Sequence, residues 1–236
     1  MNIFDCHFHI ESGLDKYNIN VAGRNVIFNS FDAYYEFKEQ VGRLDSISLL
    51  FDYRHHLSEV IELMETKKIA ALKIHNRVQK ITAADYPILL EQLEEAKPTV
   101  PIIIDAFYFG DDLEFQPNLA NIISIARRFP DVPIIVAHCG GIEILKYFYH
   151  LKSLANIHFD LSFSLAYLKH TSVFADYKNL IKYGNADNIL FGTDYPFVNA
   201  KLQLDAFTEI TEEMNIPLPS VEKMLYGNAQ RLFMAK

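Results

Sequence analysis

Short apolar runs recur along this chain at Ile3–Phe8, Asn25–Phe28, Ile47–Phe51, Ile69–Ile74, Pro101–Ala106, Pro133–Ala137, Ile157–Leu161 and Asn188–Phe191. They are rich in Ile, Val and Phe and mostly continuous rather than alternating, the pattern of strands buried on both faces. Between them the periodicity turns helical. Leu57, Val60, Ile61 and Met64 follow the i, i+3, i+4, i+7 spacing of a helix with one apolar face. Thr82 and Asp85 form an N-terminal capping pair ahead of Ile88, Leu89, Leu90 and Leu93. Pro87 fits that helix only in its first turn, where a missing N–H is harmless. Gly184 stands where the helix ending Leu180-Ile181-Lys182-Tyr183 should stop.

Eight strands starting 22 to 32 residues apart, each followed by a helix, predict one α/β domain over residues 1–236, a single (β/α)8 TIM-type barrel. The competing architecture is an open doubly wound sheet. It needs a glycine-rich phosphate turn after the first strand, and Asp5-Cys6-His7-Phe8-His9 is the opposite of glycine-rich.

The barrel gives meaning to the polar residues, because barrel active sites form at the C-terminal ends of the strands. His7 and His9 lie two apart on the first strand, so both rings face one way and can converge on one ion. Neutral imidazole suits zinc, iron and manganese. Asp194 follows the last strand; it is a metal-binding carboxylate and proton acceptor, or else a turn or capping Asp before Pro196. His138 ends strand six ahead of Gly140 and Gly141, which let the backbone approach a ligand closely; its bland alternative is a core histidine bonded to a carbonyl. Lys73 and His75 share a face at the end of strand four. Lys73 is an electrostatic anchor for substrate, or a buried partner of Asp105. Arg54 and Arg77 follow strands three and four and could clamp a carboxylate bidentately, with surface salt bridges as the alternative. His55, His56, His150, His158 and His170 receive no role.

Composition narrows the classes. Half the 236 residues are hydrophobic, with 18 Phe and 13 Tyr, ample for one large core. A formal charge of −8 argues against nucleic acid, which calls for clustered Lys and Arg; the pair Arg127 and Arg128 reads as a solvated helix end. Two cysteines, Cys6 and Cys139, cannot build a disulfide framework, and reduced thiols imply a cytoplasmic protein. No signal peptide, membrane span or membrane partner is expected. The aromatic-rich, Trp-free helices leave room for a homodimer.

Taken together, Asp5-Cys6-His7-Phe8-His9, Lys73-Ile74-His75, Ala137-His138-Cys139-Gly140-Gly141, Gly192-Thr193-Asp194-Tyr195-Pro196 and Tyr226-Gly227-Asn228-Ala229-Gln230-Arg231-Leu232-Phe233 resemble the amidohydrolase superfamily. The branch they resemble is "amidohydrolase 2", which includes aminocarboxymuconate-semialdehyde decarboxylase. The resemblance implies a distorted barrel holding one divalent metal ion, zinc first and manganese or magnesium next. His7, His9 and Asp194 would ligate it, and His138 would polarise substrate or orient water. The family usually places a metal-binding histidine at the end of strand five, where this chain has Asp105. If Asp105 ligates, two His and two Asp neutralise a divalent ion and suit manganese or magnesium better. The alternative is that Asp105 is too short and His75 takes the position.

The leading expectation is therefore a metal-dependent hydrolase of a small, carboxylated ester, lactone or amide. Asp194, His138 and Lys73 are the catalytic candidates; His75, Arg54 and Arg77 bind substrate; His7, His9, Asp105 and Asp194 hold the metal. A non-oxidative decarboxylase is the second reading. A metal- or ligand-binding barrel without efficient catalysis is the third. The related deoxyribonuclease-like barrels also begin with paired histidines but fit the acidic charge less well.

Overall fold

The computed structural model describes residues 1–10 and 17–234. Eight parallel strands, β1 (Phe4–Phe8), β2 (Gly23–Phe28), β3 (Ser46–Leu50), β4 (Ala71–Ile74), β5 (Ile102–Asp105), β6 (Ile134–Ala137), β7 (Ile157–Asp160) and β8 (Ile189–Leu190), pair in chain order. The ends meet: Cys6 N–H donates to Phe191 O at 3.1 Å and His9 N–H to Tyr195 O at 2.9 Å, closing β8 onto β1. Every expected apolar run carries a strand. Helices lie between the strands from β2 onward, and the interval between β1 and β2, where the first helix is expected, includes residues 11–16, which lie outside the described residues.

Two apolar layers follow from strand parity. Phe4, Cys6, Ile27, Ala71, Ile103, Ile135, Ala137 and Leu190 fill the inside of the barrel, closed below by Ala229 and Phe233 of the C-terminal helix, with the Phe4 and Phe233 rings stacked at 6.2 Å. The alternate residues, among them Val26, Phe28, Leu72, Ile104 and Val136, pack outward with the helices. Continuing the inner parity upward places Lys73 above Ala71 and Asp105 above Ile103, both within 1 % of full burial.

β1 breaks this rule. Its pairing with β2 slips between Asp5 and Phe8, and Phe8 joins the outer layer while Phe4 and Cys6 stay inside. A slip of one residue exchanges the faces of a strand. It turns His7 inward and leaves Asp5 outward, where it accepts hydrogen bonds from Thr193 and Tyr17.

Local signals behave as their chemistry requires. Thr82 N–H and Oγ1 both donate to Asp85 Oδ2 at 2.8 Å, forming the capping box, and Pro87 lies in the first turn of helix Tyr86–Ala96. Val60, Leu63 and Met64 form the buried face of helix Leu57–Glu65. Gly184 ends helix Phe174–Tyr183, with φ −74°, so left-handed geometry is not the reason for glycine; a Cβ there would lie 2.4 Å from Leu180 O. No helix among the described residues is long and apolar enough to cross a membrane.

Candidate metal centre and active-site cavity

At the C-terminal mouth of the barrel, a cavity of about 290 Å³ is lined by His7, His9, Lys73, His75, Arg77, Asp105, His138 and Asp194, with Phe107, Phe109, Phe163 and Phe197 among its apolar walls. His7 Nε2 and His9 Nε2 lie 3.4 and 3.3 Å from Asp194 Oδ1. The three residues are buried, and their ligand atoms fall within 4.8 Å of one another.

Each imidazole is fixed by its other nitrogen. His9 Nδ1 is 2.9 Å from Ile27 O; a carbonyl only accepts, so Nδ1 carries a proton and Nε2 is the nitrogen turned toward Asp194. His7 Nδ1 lies 2.6 Å from Asp160 Oδ2 and donates to that carboxylate. Burial, followed by the Lys73 ammonium, lowers the pKa of His7 to about 4, keeping it neutral and able to ligate. Asp160 is itself held by Ser162 N–H at 2.8 Å, Ser162 Oγ at 2.8 Å and Cys6 Sγ at 3.3 Å. Such carboxylate–histidine pairing orients a ligand and sets its tautomer. His7, His138 and Asp160 also converge. Their close contacts run through Nδ1 hydrogens and Ser162, so this second group is a hydrogen-bonded support rather than a second open cation site.

Asp194 has a left-handed backbone (φ 61°), tolerable for Asp, and its N–H donates to His7 O at 2.7 Å. Burial would raise its pKa, but the His7, His9 and His138 imidazoles outweigh it and hold the carboxyl well below the usual range. It is not a helix cap, since the next helix begins at Ala200 on Asn199. Asp5 anchors the neighbouring Thr193 from below, accepting from its N–H at 2.8 Å and its Oγ1 at 2.6 Å.

His138 donates from Nδ1 to Ser162 O at 3.0 Å and turns Nε2 toward Asp105 Oδ1, 3.6 Å away. Asp105 does not join the His7–His9–Asp194 set. Its Oδ2 faces Arg77 Nη2 at 3.3 Å and His75 Nδ1 at 3.7 Å, because strand parity sets it across the cavity toward β4 and β6. His75 does not join the His7–His9–Asp194 group either, and faces Asp105 instead. The side chains that converge closely are thus two His and one Asp, with Asp105 standing apart from them.

Lys73 is buried with no hydrogen bond or ion pair among the described residues, so the Lys73–Asp105 pair is not formed. Burial lowers its pKa, opposed by Asp105 and Asp194. Arg77 reaches the cavity but is engaged with Asp105 and Phe109 O. Arg54 is not among the lining residues and donates to Gln79 O and Asp85 Oδ1, the salt-bridge alternative. Asp160 and Ser162 carry functional contacts that the sequence reading did not assign. The signal for Asp160 was present as a carboxylate ending the otherwise buried run Ile157-His158-Phe159-Asp160.

Comparison with known proteins adds the family. The amidohydrolase family profile matches residues 52–234, a span that begins after β3 and omits His7 and His9. No curated protein is significantly similar in sequence. Among solved structures, a dihydroorotase from Saccharomyces cerevisiae in complex with 5-fluoroorotic acid superposes with a TM-score of 0.71 at 13 % identity, covering 100 % of this chain and 84 % of that one. An uncharacterised TIM-barrel protein, Bb4693 from Bordetella bronchiseptica, gives 0.66 at 17 % over 91 % and 78 %. ATU3138 from Agrobacterium tumefaciens gives 0.66 at 10 % over 100 % and 94 %. Identities this low establish the shared barrel and nothing finer.

Proposed function

Because the chain belongs to the amidohydrolase family, we propose that it is a metal-dependent hydrolase of a small carboxylated ester, lactone or amide. The observation that carries this reading is the convergence of His7 Nε2, His9 Nε2 and Asp194 Oδ1 in one buried corner of a cavity that also holds an unpaired lysine. Two imidazoles and one carboxylate suit zinc, with manganese as the next candidate. A divalent cation held there would supply Lewis acidity and make water a better nucleophile at neutral pH.

The protein's own groups divide the remaining work. Lys73, with no hydrogen bond or ion pair among the described residues, receives the substrate carboxylate. Asp194 stands within reach of the same corner and accepts the proton of the attacking water. His138 offers Nε2 to the cavity because Nδ1 is committed to Ser162 O. With Nε2 protonated from solvent before the attack, it donates a hydrogen bond to the oxygen on which charge develops, and Asp105 at 3.6 Å stabilises the imidazolium. Phe107 and Phe163, edge-to-face at 5.0 Å, wall off water on that side.

The test is turnover of a panel of small carboxylated lactones, esters and amides by zinc-loaded protein, with labelled water as the oxygen source. Label in the product carboxylate, abolished in His7→Ala, His9→Ala and Asp194→Ala, supports the reading. Release of CO2 without label incorporation overturns it in favour of decarboxylation. Failure of the wild-type chain to retain any divalent ion overturns it in favour of a non-catalytic barrel.

A further inference from the structure

Resting on the role proposed for His138, we infer that Tyr177 and Ser164 are positioning residues that hold its imidazole at the cavity through the backbone beneath it. β6 ends at Ala137, and the next four residues all have positive φ: His138 at 60°, Cys139 at 54°, Gly140 at 89° and Gly141 at 57°. Two of the four are not glycine, and L side chains resist this region. A left-handed run of this length persists only where its surroundings hold it.

The restraints converge on the turn's two ends. Tyr177 Oη, from helix Phe174–Tyr183, shares its proton between His138 O at 2.9 Å and Gly141 O at 3.1 Å. Ser164 Oγ donates to the same His138 O at 3.0 Å. Cys139 Sγ donates to Asp160 O at 3.1 Å. Above the glycines no space remains, since a Cβ would lie 2.5 Å from Tyr147 at Gly140 and 2.7 Å from Phe107 at Gly141. Tyr177 is fully buried and does not line the cavity, so it reaches substrate only through His138. Removing its hydroxyl leaves the two carbonyls that bracket the turn with one side-chain hydrogen bond in place of three. The imidazole, whose Nδ1–H must meet Ser162 O, then loses its fixed base.

The experiment compares wild type, Tyr177→Phe and Ser164→Ala as full-length, zinc-loaded chains with nitrogen-15-labelled histidine. The His138 resonances are identified by their absence in His138→Asn. The wild type should show one set with the Nδ1-protonated pattern. Tyr177→Phe should shift or broaden it, and lower kcat on p-nitrophenyl acetate about tenfold, with KM within twofold and zinc content unchanged. Ser164→Ala, which removes one bond of the three, should move the same signals less and serves if Tyr177→Phe does not fold. His138 resonances coinciding with wild type in the folded variants would overturn the inference, even if the melting temperature fell. Full turnover by His138→Asn would instead overturn the catalytic role of His138, with the resonance comparison still deciding whether Tyr177 positions it.

Discussion

Asp160→Asn changes one atom, and its consequence for metal binding can be worked from the contacts. The carboxylate accepts from four donors: Ser162 N–H and Cys6 Sγ on Oδ1, His7 Nδ1 and Ser162 Oγ on Oδ2. An asparagine must give one of these edges an amide NH2. Placed at Oδ1, it would face Ser162 N–H, a backbone donor that cannot turn away, and would orphan it in the interior. Placed at Oδ2, it meets groups that can adapt: Ser162 Oγ rotates to accept, and His7 switches tautomer so that Nδ1 accepts. That second arrangement prevails, and it puts the His7 proton on Nε2, facing Asp194 where a lone pair is needed. To ligate, the variant must revert to the first arrangement and bear a buried unsatisfied N–H, a penalty of about 1–3 kcal/mol. This corresponds to roughly 10- to 100-fold weaker binding, the scale found when a ligand's supporting carboxylate is removed. Zinc affinity of the apo-protein, measured by competition with a chromophoric chelator alongside circular dichroism, reads it directly. Asp105→Asn is the matched control and should bind zinc within twofold of wild type, because Asp105 lies outside the ligand set. Unchanged zinc affinity in folded Asp160→Asn would refute the tautomer argument.

Three further outcomes follow from other parts of the molecule. Lys73→Met removes an unpaired buried ammonium, so the melting temperature should rise by a few degrees while binding of benzoate, read by titration calorimetry, weakens about tenfold; a lower melting temperature with unchanged binding would contradict the anchor role. His158, inside the lower barrel with Nδ1 unpartnered, has its pKa lowered by burial, then by Arg231, from 6.5 to about 4. The unfolded chain therefore takes up this proton first, and the stability His158 contributes is complete above pH 6.5 and lost as pH falls toward 4, by at most about 3 kcal/mol; urea midpoints of His158→Leu should be flatter across that window, and an equal slope would count against it. Gly140→Ala sets a Cβ 2.5 Å from the Tyr147 ring at φ 89° and should destabilise by about 2–4 kcal/mol, a change that thermal unfolding would show at once.

The eight strands were legible because parallel barrel strands are buried on both faces and so leave uninterrupted apolar runs, several of them followed by a polar residue at the mouth. Identity was legible in the same way: His7, His9, His138 and Asp194 stand out as polar groups at apolar ends. Geometry was not. Counting by twos from Phe4 and Cys6, which face inward, puts His7 on the outside, and no glycine in Asp5-Cys6-His7-Phe8-His9 announces the slip that reverses it. The reversal comes from closure instead. Asp5 grips Thr193 through its N–H and hydroxyl while Asp194 N–H bonds His7 O, so a residue nearly the whole chain away dictates which face of β1 carries the histidines. Asp105 illustrates the same dependence in reverse: a carboxylate at the right strand end has the chemistry of a ligand. Only its position across the cavity, against Arg77 and His75, makes it a partner for the protein's own side chains. The contacts that build this centre are therefore those that close the barrel. Loosening Asp5 from Thr193 should then weaken zinc binding before it unfolds the chain.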